Sequence, residues 1–236
     1  MKKLNAVITG ATKGIGWAIA NKFAEKGFNL VICSRSEEEL EQSAEMLLDT
    51  NPDIQVKYMA VDLSKKDLCK DFGDFCLEAF DKIDVLVNNT GVYFGGELLD
   101  EEEGALESMI ETNLYSAYHL TRKIAPSMKE NKSGYIINMA SIASFMAYPN
   151  GGSYSISKFA MRGFSMVLRE ELKKHGIKVT TVMPGATWSN SWAGADLPRE
   201  RIMEAEDIAE SVWSIFELSD AAVLEELIIR PQLGDL

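Results

Sequence analysis

The sequence contains only two histidines and three cysteines among its 236 residues. Neither His119 nor His175 has other metal-ligating side chains at a suitable spacing, so we predict no metal site. The cysteines form no C-x-x-C pair and are odd in number, which favours a reducing compartment over a disulfide framework. Lys13 interrupts the first apolar stretch too early for a signal peptide, and we therefore expect a cytoplasmic protein.

Basic residues are also scarce. The chain has 24 Lys+Arg against 36 Asp+Glu, which gives a formal net charge of -12. A surface of this sign repels nucleic-acid phosphates and anionic membranes, so neither is an expected partner. A long charge-free segment, 133–157, is interrupted by Pro149, Gly151 and Gly152, and this excludes a membrane-spanning helix there. The expected ligand is therefore a small molecule.

Short apolar runs rich in valine and isoleucine alternate with helical stretches along the chain. Strands buried on both faces have this composition, and right-handed crossovers between them produce a parallel sheet covered by helices on both sides. We therefore predict a single α/β domain over residues 1–236, a Rossmann fold with a doubly wound parallel sheet of about seven strands. The predicted strands lie at about 4–9, 29–33, 55–60, 83–88, 134–139, 177–182 and 226–230, and the predicted helices at about 14–27, 36–50, 65–80, 102–129, 153–174 and 205–219.

The most informative side chains are those of Tyr154 and Lys158, with Ser141 upstream of them. If a helix begins near Ser153, the tyrosine and the lysine share one face and reach the same reacting group. A free phenol has a pKa of about 10, and a neighbouring ammonium group lowers that pKa by favouring the phenolate. Because 133–157 carries no charge, the ammonium acts strongly in this pocket. The pattern predicts proton transfer, with an ordinary helix surface as the alternative.

A glycine-rich segment links the first predicted strand to the first predicted helix, with the spacing Gly10-x-x-x-Gly14-x-Gly16. Glycines permit a tight turn and let a pyrophosphate approach the backbone N–H groups at the helix N-terminus. A plain strand-to-helix turn has the same composition, so this loop alone is weak support for a dinucleotide site.

The end of the second strand bears on which dinucleotide is bound. A free ribose 2′-OH usually meets an acidic residue there, whereas a 2′-phosphate needs a cation. No acid appears before Glu37, and Arg35 and Lys13 supply positive charge. We therefore predict a 2′-phosphate site, with a solvated Arg35 as the alternative. Asp62, at the end of the third strand, is predicted either to contact the adenine amino group or to lie in a plain loop.

Together these motifs resemble the short-chain dehydrogenase/reductase family. The similarity covers nearly the whole chain, and the motifs occur in the family's order and spacing: the Thr9-to-Gly16 loop, Asn88-Asn89-Thr90-Gly91, Asn113, Ser141, Tyr154, Lys158 and Pro184-Gly185. The family's usual Asn-Asn-Ala-Gly reads Asn-Asn-Thr-Gly here, which adds a hydroxyl group. The Thr commonly found four residues after Gly185 is replaced by Ser189.

The resemblance implies hydride transfer between C4 of a nicotinamide and a carbonyl carbon, with NADP(H) as the cofactor. It implies that Tyr154 donates the proton during reduction, Ser141 holds the carbonyl oxygen and Lys158 lowers the pKa of the tyrosine while binding the nicotinamide ribose. Asn113 would hold a relay water beside the lysine. The cofactor-binding residues that it implies are Gly10, Thr12, Lys13, Gly14, Ile15, Gly16, Ser34, Arg35, Asp62, Leu63, Asn89, Gly91, Tyr154, Lys158, Pro184, Gly185, Thr187 and Ser189.

An NADPH-dependent ketone reductase is the function that these residues favour, in either physiological direction. A non-catalytic dinucleotide-binding protein is the alternative, but it has no need for the proton-transfer set. For the substrate, a sepiapterin-reductase-like enzyme competes with a 3-oxoacyl-[acyl-carrier-protein] reductase. The second needs a basic docking surface, yet the helix positions that usually carry its arginines hold Pro126 and Glu170.

Segment 185–200 lacks clear periodicity and is predicted to form a lid over the strand ends. Its Trp188 and Trp192 offer aromatic faces to a planar heterocycle, or simply cover a pocket for miscellaneous ketones. Asp196 or Asp235 would accept hydrogen bonds from a pterin. The tail 225–231 also resembles bacterial sepiapterin-reductase-like chains.

The two longest predicted helices, 102–129 and 153–174, are predicted to form the interface of a homodimer or homotetramer, as the family resemblance implies. Their apolar residues exceed what one sheet-facing stripe needs, the examples being Met161, Phe164, Met166 and Leu168. The alternative is that all four pack on the sheet.

Overall fold

The computed structural model describes residues 3–189, 192 and 196–236. The strands among these residues are β1 Asn5–Thr9, β2 Asn29–Ser34, β3 Val56–Ala60, β4 Val85–Asn88, β5 Gly134–Met139, β6 Ile177–Pro184 and β7 Glu226–Ile229. They form one seven-stranded sheet in the order β3-β2-β1-β4-β5-β6-β7, and every neighbouring pair is parallel. The predicted doubly wound Rossmann fold is therefore confirmed.

Helices cover both faces of this sheet. They are α1 Gly14–Glu25, α2 Glu37–Thr50, α3 Lys66–Ala79, α4 Ala105–Ile110, α5 Ser116–Asn131, α6 Gly152–Leu172 and α7 Ala205–Phe216. The single helix predicted at 102–129 was wrong in detail: it begins only at Ala105, after Gly104 adopts a left-handed conformation with φ 88. A π-helical turn, Glu111–Tyr115, then separates α4 from α5. No helix in the described part of the chain is long and apolar enough to cross a bilayer.

The core has two layers, one on each face of the sheet. On one face α1, α2 and α7 pack together, with Phe23 of α1 meeting the rings of Phe28 and Trp213 edge-on at 4.9 and 5.7 Å. On the other face α3, α5 and α6 bury Phe72, Leu120 and Leu168. The strands contribute alternate side chains to each layer, which explains why their sequences are apolar throughout. The connections wind in opposite directions from β1 and β4, so a crevice opens beyond their carboxyl ends.

Candidate active site

A cavity of about 1150 Å³ occupies this crevice. Every residue predicted to bind the cofactor lines it, and so does Ser141. The lining comes from the loops after strands β1 to β6, from α4 and the π-helical turn that follows it, from the first turns of α6 and from the last two residues of the chain. The described residues include no cluster of three or more His, Cys, Asp or Glu side chains arranged to hold a metal ion.

The glycine-rich loop forms one end of the cavity. Gly10 and Gly14 have positive φ values of 63 and 54. A Cβ atom on Gly16 would lie 2.2 Å from the Gly10 carbonyl oxygen, so only glycine allows this helix start to approach the strand end. The side chain of Asn89 fixes the loop by donating to the carbonyls of Thr9 and Gly10 at 2.9 and 3.1 Å. The first N–H groups of α1 lack intrahelical acceptors and suit a pyrophosphate, so this cradle fits a dinucleotide.

The charges beside the loop differ from the predicted set. Lys13 and Arg35 both line the cavity, as expected from the sequence. However, Glu39 also lines it, and its carboxylate accepts hydrogen bonds from Lys13 Nζ at 2.6 Å and from Thr12 Oγ1 at 3.2 Å. The predicted absence of an acid holds for the strand end alone, because the first turn of α2 brings Glu39 back over the loop. Asp62 also lines the cavity, and its Oδ1 accepts from Ser64 N at 3.0 Å.

The proton-transfer residues meet at the carboxyl end of β5. Lys158 is only 5% exposed, and its Nζ donates to the Met139 carbonyl oxygen at 3.0 Å. The ammonium also lies 5.7 Å from the centre of the Tyr154 ring. The Ser141 side chain lines the same cavity as the phenol of Tyr154 and is close enough to influence its pKa. Ser141 itself caps a short 3-10 helix by accepting from Ala143 N at 3.2 Å, which fixes its hydroxyl at the cavity wall.

Desolvation shifts the pKa values of this pair. Burial raises the pKa of Tyr154, and the neighbouring Ser141 side chain only partly counters that rise. Burial also lowers the pKa of Lys158 from 10.5 to about 8. Desolvation is the largest cause of the Tyr154 shift and the cause of the Lys158 shift, so the lowering of the phenol pKa by the lysine stays a prediction. The phenol remains protonated at neutral pH, which suits a proton donor.

Asn113 lies behind the cavity rather than in its wall. It is fully buried in the π-helical turn, where Oδ1 accepts from Val92 N at 2.7 Å. Its Nδ2 donates to the Val92 carbonyl at 3.0 Å and to Ser157 Oγ at 2.9 Å. The side chain thus ties the loop after β4 to helix α6. π-Helical turns occur frequently at functional sites because they shift the helix register locally.

Sequence reasoning missed Glu101, which holds the start of α6. Its Oε1 accepts from Ser153 N at 2.8 Å, and its Oε2 accepts from the Ser153 hydroxyl. Gly151, at the N-cap position, has no side chain to cap the helix, so a residue some fifty positions upstream does so. A Cβ atom on Gly152 would collide with this carboxylate at 1.9 Å. The only available signal was the pair of adjacent glycines before Ser153.

Several aromatic side chains line the cavity around Tyr154. Tyr93 meets the ring of Tyr154 edge-on, with centroids 4.9 Å apart. Phe94, Tyr148 and Trp192 line the same side. Trp188, predicted to share the lid face with Trp192, instead donates from its indole N–H to the Arg199 carbonyl at 2.7 Å, and it is not among the described lining residues.

The remaining lid predictions have mixed outcomes. Asp235 lines the cavity but is paired with Arg230, whereas Asp196 is absent from the described lining. The short 3-10 helix Arg199–Arg201 shows that 185–200 is not wholly irregular. Part of this segment, residues 190, 191 and 193–195, falls outside the described residues, so the lid stays a prediction there.

The fold and this site define a dinucleotide-dependent oxidoreductase, and comparison with known proteins agrees. A family model described as short chain dehydrogenase matches residues 4–197. The chain belongs to the short-chain dehydrogenase family, whose members use a nicotinamide cofactor.

Individual proteins that resemble this chain are also oxidoreductases or dehydrogenases. The chain is 31% identical over 226 residues to an uncharacterised oxidoreductase of Staphylococcus saprophyticus, with 96% of each chain covered. It resembles the crystal structure of an alcohol dehydrogenase from the archaeon Thermococcus sibiricus complexed with 5-hydroxy-NADP, with 29% identity, a TM-score of 0.91 and coverage of 100% and 99%. A metagenomic short-chain oxidoreductase in complex with NADP gives 33% identity, a TM-score of 0.85 and 98% coverage of both chains.

Replacing Lys158 with Met should stabilise the fold at neutral pH. Because the folded-state pKa of Lys158 is lowered to about 8, the buried ammonium destabilises the protein below that pH, and the penalty disappears as pH rises towards 10.5. A pKa shift of this size corresponds to a gain of about 3 kcal/mol in the free energy of unfolding at pH 7. The loss of the hydrogen bond to the Met139 carbonyl reduces this gain. Urea unfolding across pH 7–10 measures it, with the exposed Lys57→Met as control. A Lys158→Met variant that is less stable than the wild type, or whose gain in stability grows with pH, would contradict the lowered pKa of Lys158.

Proposed function

We propose that this protein is an NADPH-dependent carbonyl reductase. The observation that carries the proposal is the arrangement at one cavity wall, where the phenol of Tyr154, the Ser141 side chain and the buried Lys158 line the same cavity and the ammonium lies 5.7 Å from the centre of the Tyr154 ring. A non-catalytic dinucleotide-binding protein has no use for a buried ammonium group, whose desolvation destabilises the fold.

When bound, the nicotinamide supplies a hydride. The residues of the chain supply the complementary proton and the geometry. Ser141 holds the carbonyl oxygen of the substrate, and the protonated Tyr154 donates its hydroxyl proton to that oxygen as negative charge develops. Lys158 is placed to bind the nicotinamide ribose and to stabilise the phenolate that remains. Asn113 positions these catalytic side chains indirectly, through its hydrogen bonds to the backbone of Val92 and to the Ser157 hydroxyl.

The 2′-phosphate is the basis for choosing NADPH. Lys13 and Arg35 lie at the cavity end where the ribose of the adenosine would sit, and both are cations. Structures of relatives containing NADP or 5-hydroxy-NADP support this choice. The glycine cradle, Asn89, Asp62 and Leu63 would hold the rest of the cofactor.

For the substrate, we favour a neutral ketone with a planar or apolar body, as in a sepiapterin-reductase-like enzyme. Tyr93, Phe94, Tyr148 and Trp192 supply flat apolar surface. Asp235 would have to leave Arg230 before binding a pterin, so it is a weaker anchor than the sequence indicated. A 3-oxoacyl-[acyl-carrier-protein] substrate is the second candidate, and the acidic chain argues against it.

The single domain over 1–236 and the cytoplasmic location also remain proposals. One continuous sheet containing strands from both ends of the chain supports a single domain. All three cysteines are buried free thiols, which supports a reducing compartment.

We expect a preference for NADPH over NADH of at least about tenfold in kcat/KM, because a charge-assisted contact to phosphate contributes about 1.5–3 kcal/mol. Steady-state kinetics with both cofactors and one ketone measure the ratio. Equal values, or a preference for NADH, would contradict the 2′-phosphate assignment.

The substrate class is tested by comparing sepiapterin, a small diketone and an acetoacetyl thioester under saturating NADPH. We expect the two neutral ketones to be reduced and the thioester to be the poorest substrate. A clear advantage for the thioester would reverse this order.

The Tyr154→Phe variant tests the proton donor, because it keeps the ring but loses the hydroxyl proton, and general acid catalysis contributes about 10²–10⁴-fold. Retention of more than about a tenth of wild-type kcat would refute the role of Tyr154.

We also propose a homodimer or homotetramer through the outer faces of α5 and α6. Met161 and Leu168, which the sequence placed in this interface, are buried in the monomer instead. Other apolar side chains on these helices are exposed, including Phe159 at 45% and Met166 at 55%. We infer that a second copy covers them.

Light scattering tests this assembly, since one chain weighs 26.2 kDa. We expect a mass of two or four chains for the wild type, and a shift towards one chain when Phe159 and Met166 are both changed to Lys. Met46→Lys, an equally exposed methionine on α2, should leave the mass unchanged. A wild-type mass of one chain would exclude the oligomer.

A further inference from the structure

The acidic side chain of Glu39 lies beside Lys13 at the end of the cavity that Arg35 also lines. Glu39 Oε1 lies 2.6 Å from Lys13 Nζ, and its Oε2 accepts from Thr12 Oγ1 at 3.2 Å. Arg35 is close enough to contribute to the lowered pKa of this carboxyl, although Lys13 is the main cause. Both members of the ion pair are partly exposed, with side chains 52% and 37% accessible for Lys13 and Glu39. A ligand entering the cavity can therefore reach them.

This contact is not needed to form helix α2. The helix is capped by Ser36, whose side chain accepts from Glu39 N at 3.3 Å. Glu37 and Glu38 occupy the same first turn, so two other carboxylates already complement the positive end of the helix dipole. What distinguishes Glu39 is that its side chain crosses to the glycine-rich loop, 26 residues away in sequence.

The consequence is a competition between two anions for one ammonium group. A 2′-phosphate that binds Lys13 must displace the Glu39 carboxylate or lie beside it, and like charges at that distance repel. A cofactor with a free 2′-OH meets no such repulsion, because a carboxylate accepts hydrogen bonds from hydroxyls. Glu39 therefore opposes the discrimination that Lys13 and Arg35 provide.

We propose that Glu39 is a specificity-determining residue that weakens binding of NADP(H) relative to NAD(H) by pairing with Lys13. The inference rests on the proposed function in one respect, namely that the corner beside Lys13 and Arg35 receives the 2′-phosphate. It adds that the wild-type preference for NADPH is held below the value that the two cations alone would give.

Titration calorimetry with NADP⁺ and NAD⁺ on the full chain tests this proposal without any turnover. We expect Glu39→Gln to lower the Kd for NADP⁺ by about fivefold or more, since one like-charge contact is removed, and to change the Kd for NAD⁺ by less than about twofold. The matched control is Glu38→Gln, which removes the same charge from an exposed position of the same helical turn. It should leave both Kd values within about twofold of wild type.

Two further variants separate pairing with Lys13 from other effects. Glu39→Ala should shift the Kd for NADP⁺ in the same direction, and it serves if the Gln variant does not fold. In a Lys13→Gln background, Glu39→Gln should give a smaller gain than in the wild type, because the competition for the ammonium is absent and only the direct repulsion between the carboxylate and the phosphate is relieved.

The outcomes are distinct. An unchanged Kd for NADP⁺ in both Glu39 variants overturns the inference alone and leaves the proposed function standing. Selective weakening of NAD⁺ also overturns it, because Glu39 would then be a ribose-binding residue. If the wild type binds neither dinucleotide, the proposed function fails together with the inference.

Discussion

The burial of the Lys158 ammonium group is the constraint on which the site depends. An isolated charge inside a protein is unfavourable unless polar partners surround it. Here the Met139 carbonyl at the end of β5 accepts from it, and the Tyr154 ring lies beside it. The resulting pKa of about 8 lies close to neutral pH. Proteins accept such a cost in stability at functional positions, where local rules of folding are broken for a chemical purpose.

The parallel sheet makes this arrangement possible. All its carboxyl ends meet at one edge, so the loops that follow several strands converge on one crevice. Two asparagines then join those loops. Asn89 holds the glycine-rich loop after β1, and Asn113 holds the loop after β4 against α6. The Asn89 amide donates to two carbonyls and the Asn113 amide both donates and accepts, and neither side chain needs to touch a substrate to position the groups that do.

Much of this structure could be predicted from sequence, since its signals are local. Apolar strands of Val and Ile, the glycine spacing after β1 and the Tyr154–Lys158 pair each depend on neighbours within a few residues. The α/β fold follows from such patterns, and the predicted cavity-lining residues follow from the family resemblance that these motifs carry.

The features that were missed are non-local. Glu39 reaches Lys13, and Glu101 reaches Ser153, through contacts that exist only after folding. The π-helical turn around Asn113 has no local sequence signal, and the raised pKa of Tyr154 reflects desolvation by the whole cavity. The environment of Trp188 likewise depends on the path of the chain at Arg199.

The central claim is that Tyr154 donates a proton while Lys158 is charged. The most direct test is the pH dependence of NADPH oxidation in a single turnover, with the best ketone and saturating cofactor. The account predicts that the rate falls as pH rises through about 8, where Lys158 loses its charge, and that this fall is absent in Lys158→Arg, whose guanidinium stays protonated. A wild-type rate that stays constant to about pH 10, where a free phenol would ionise, would contradict it.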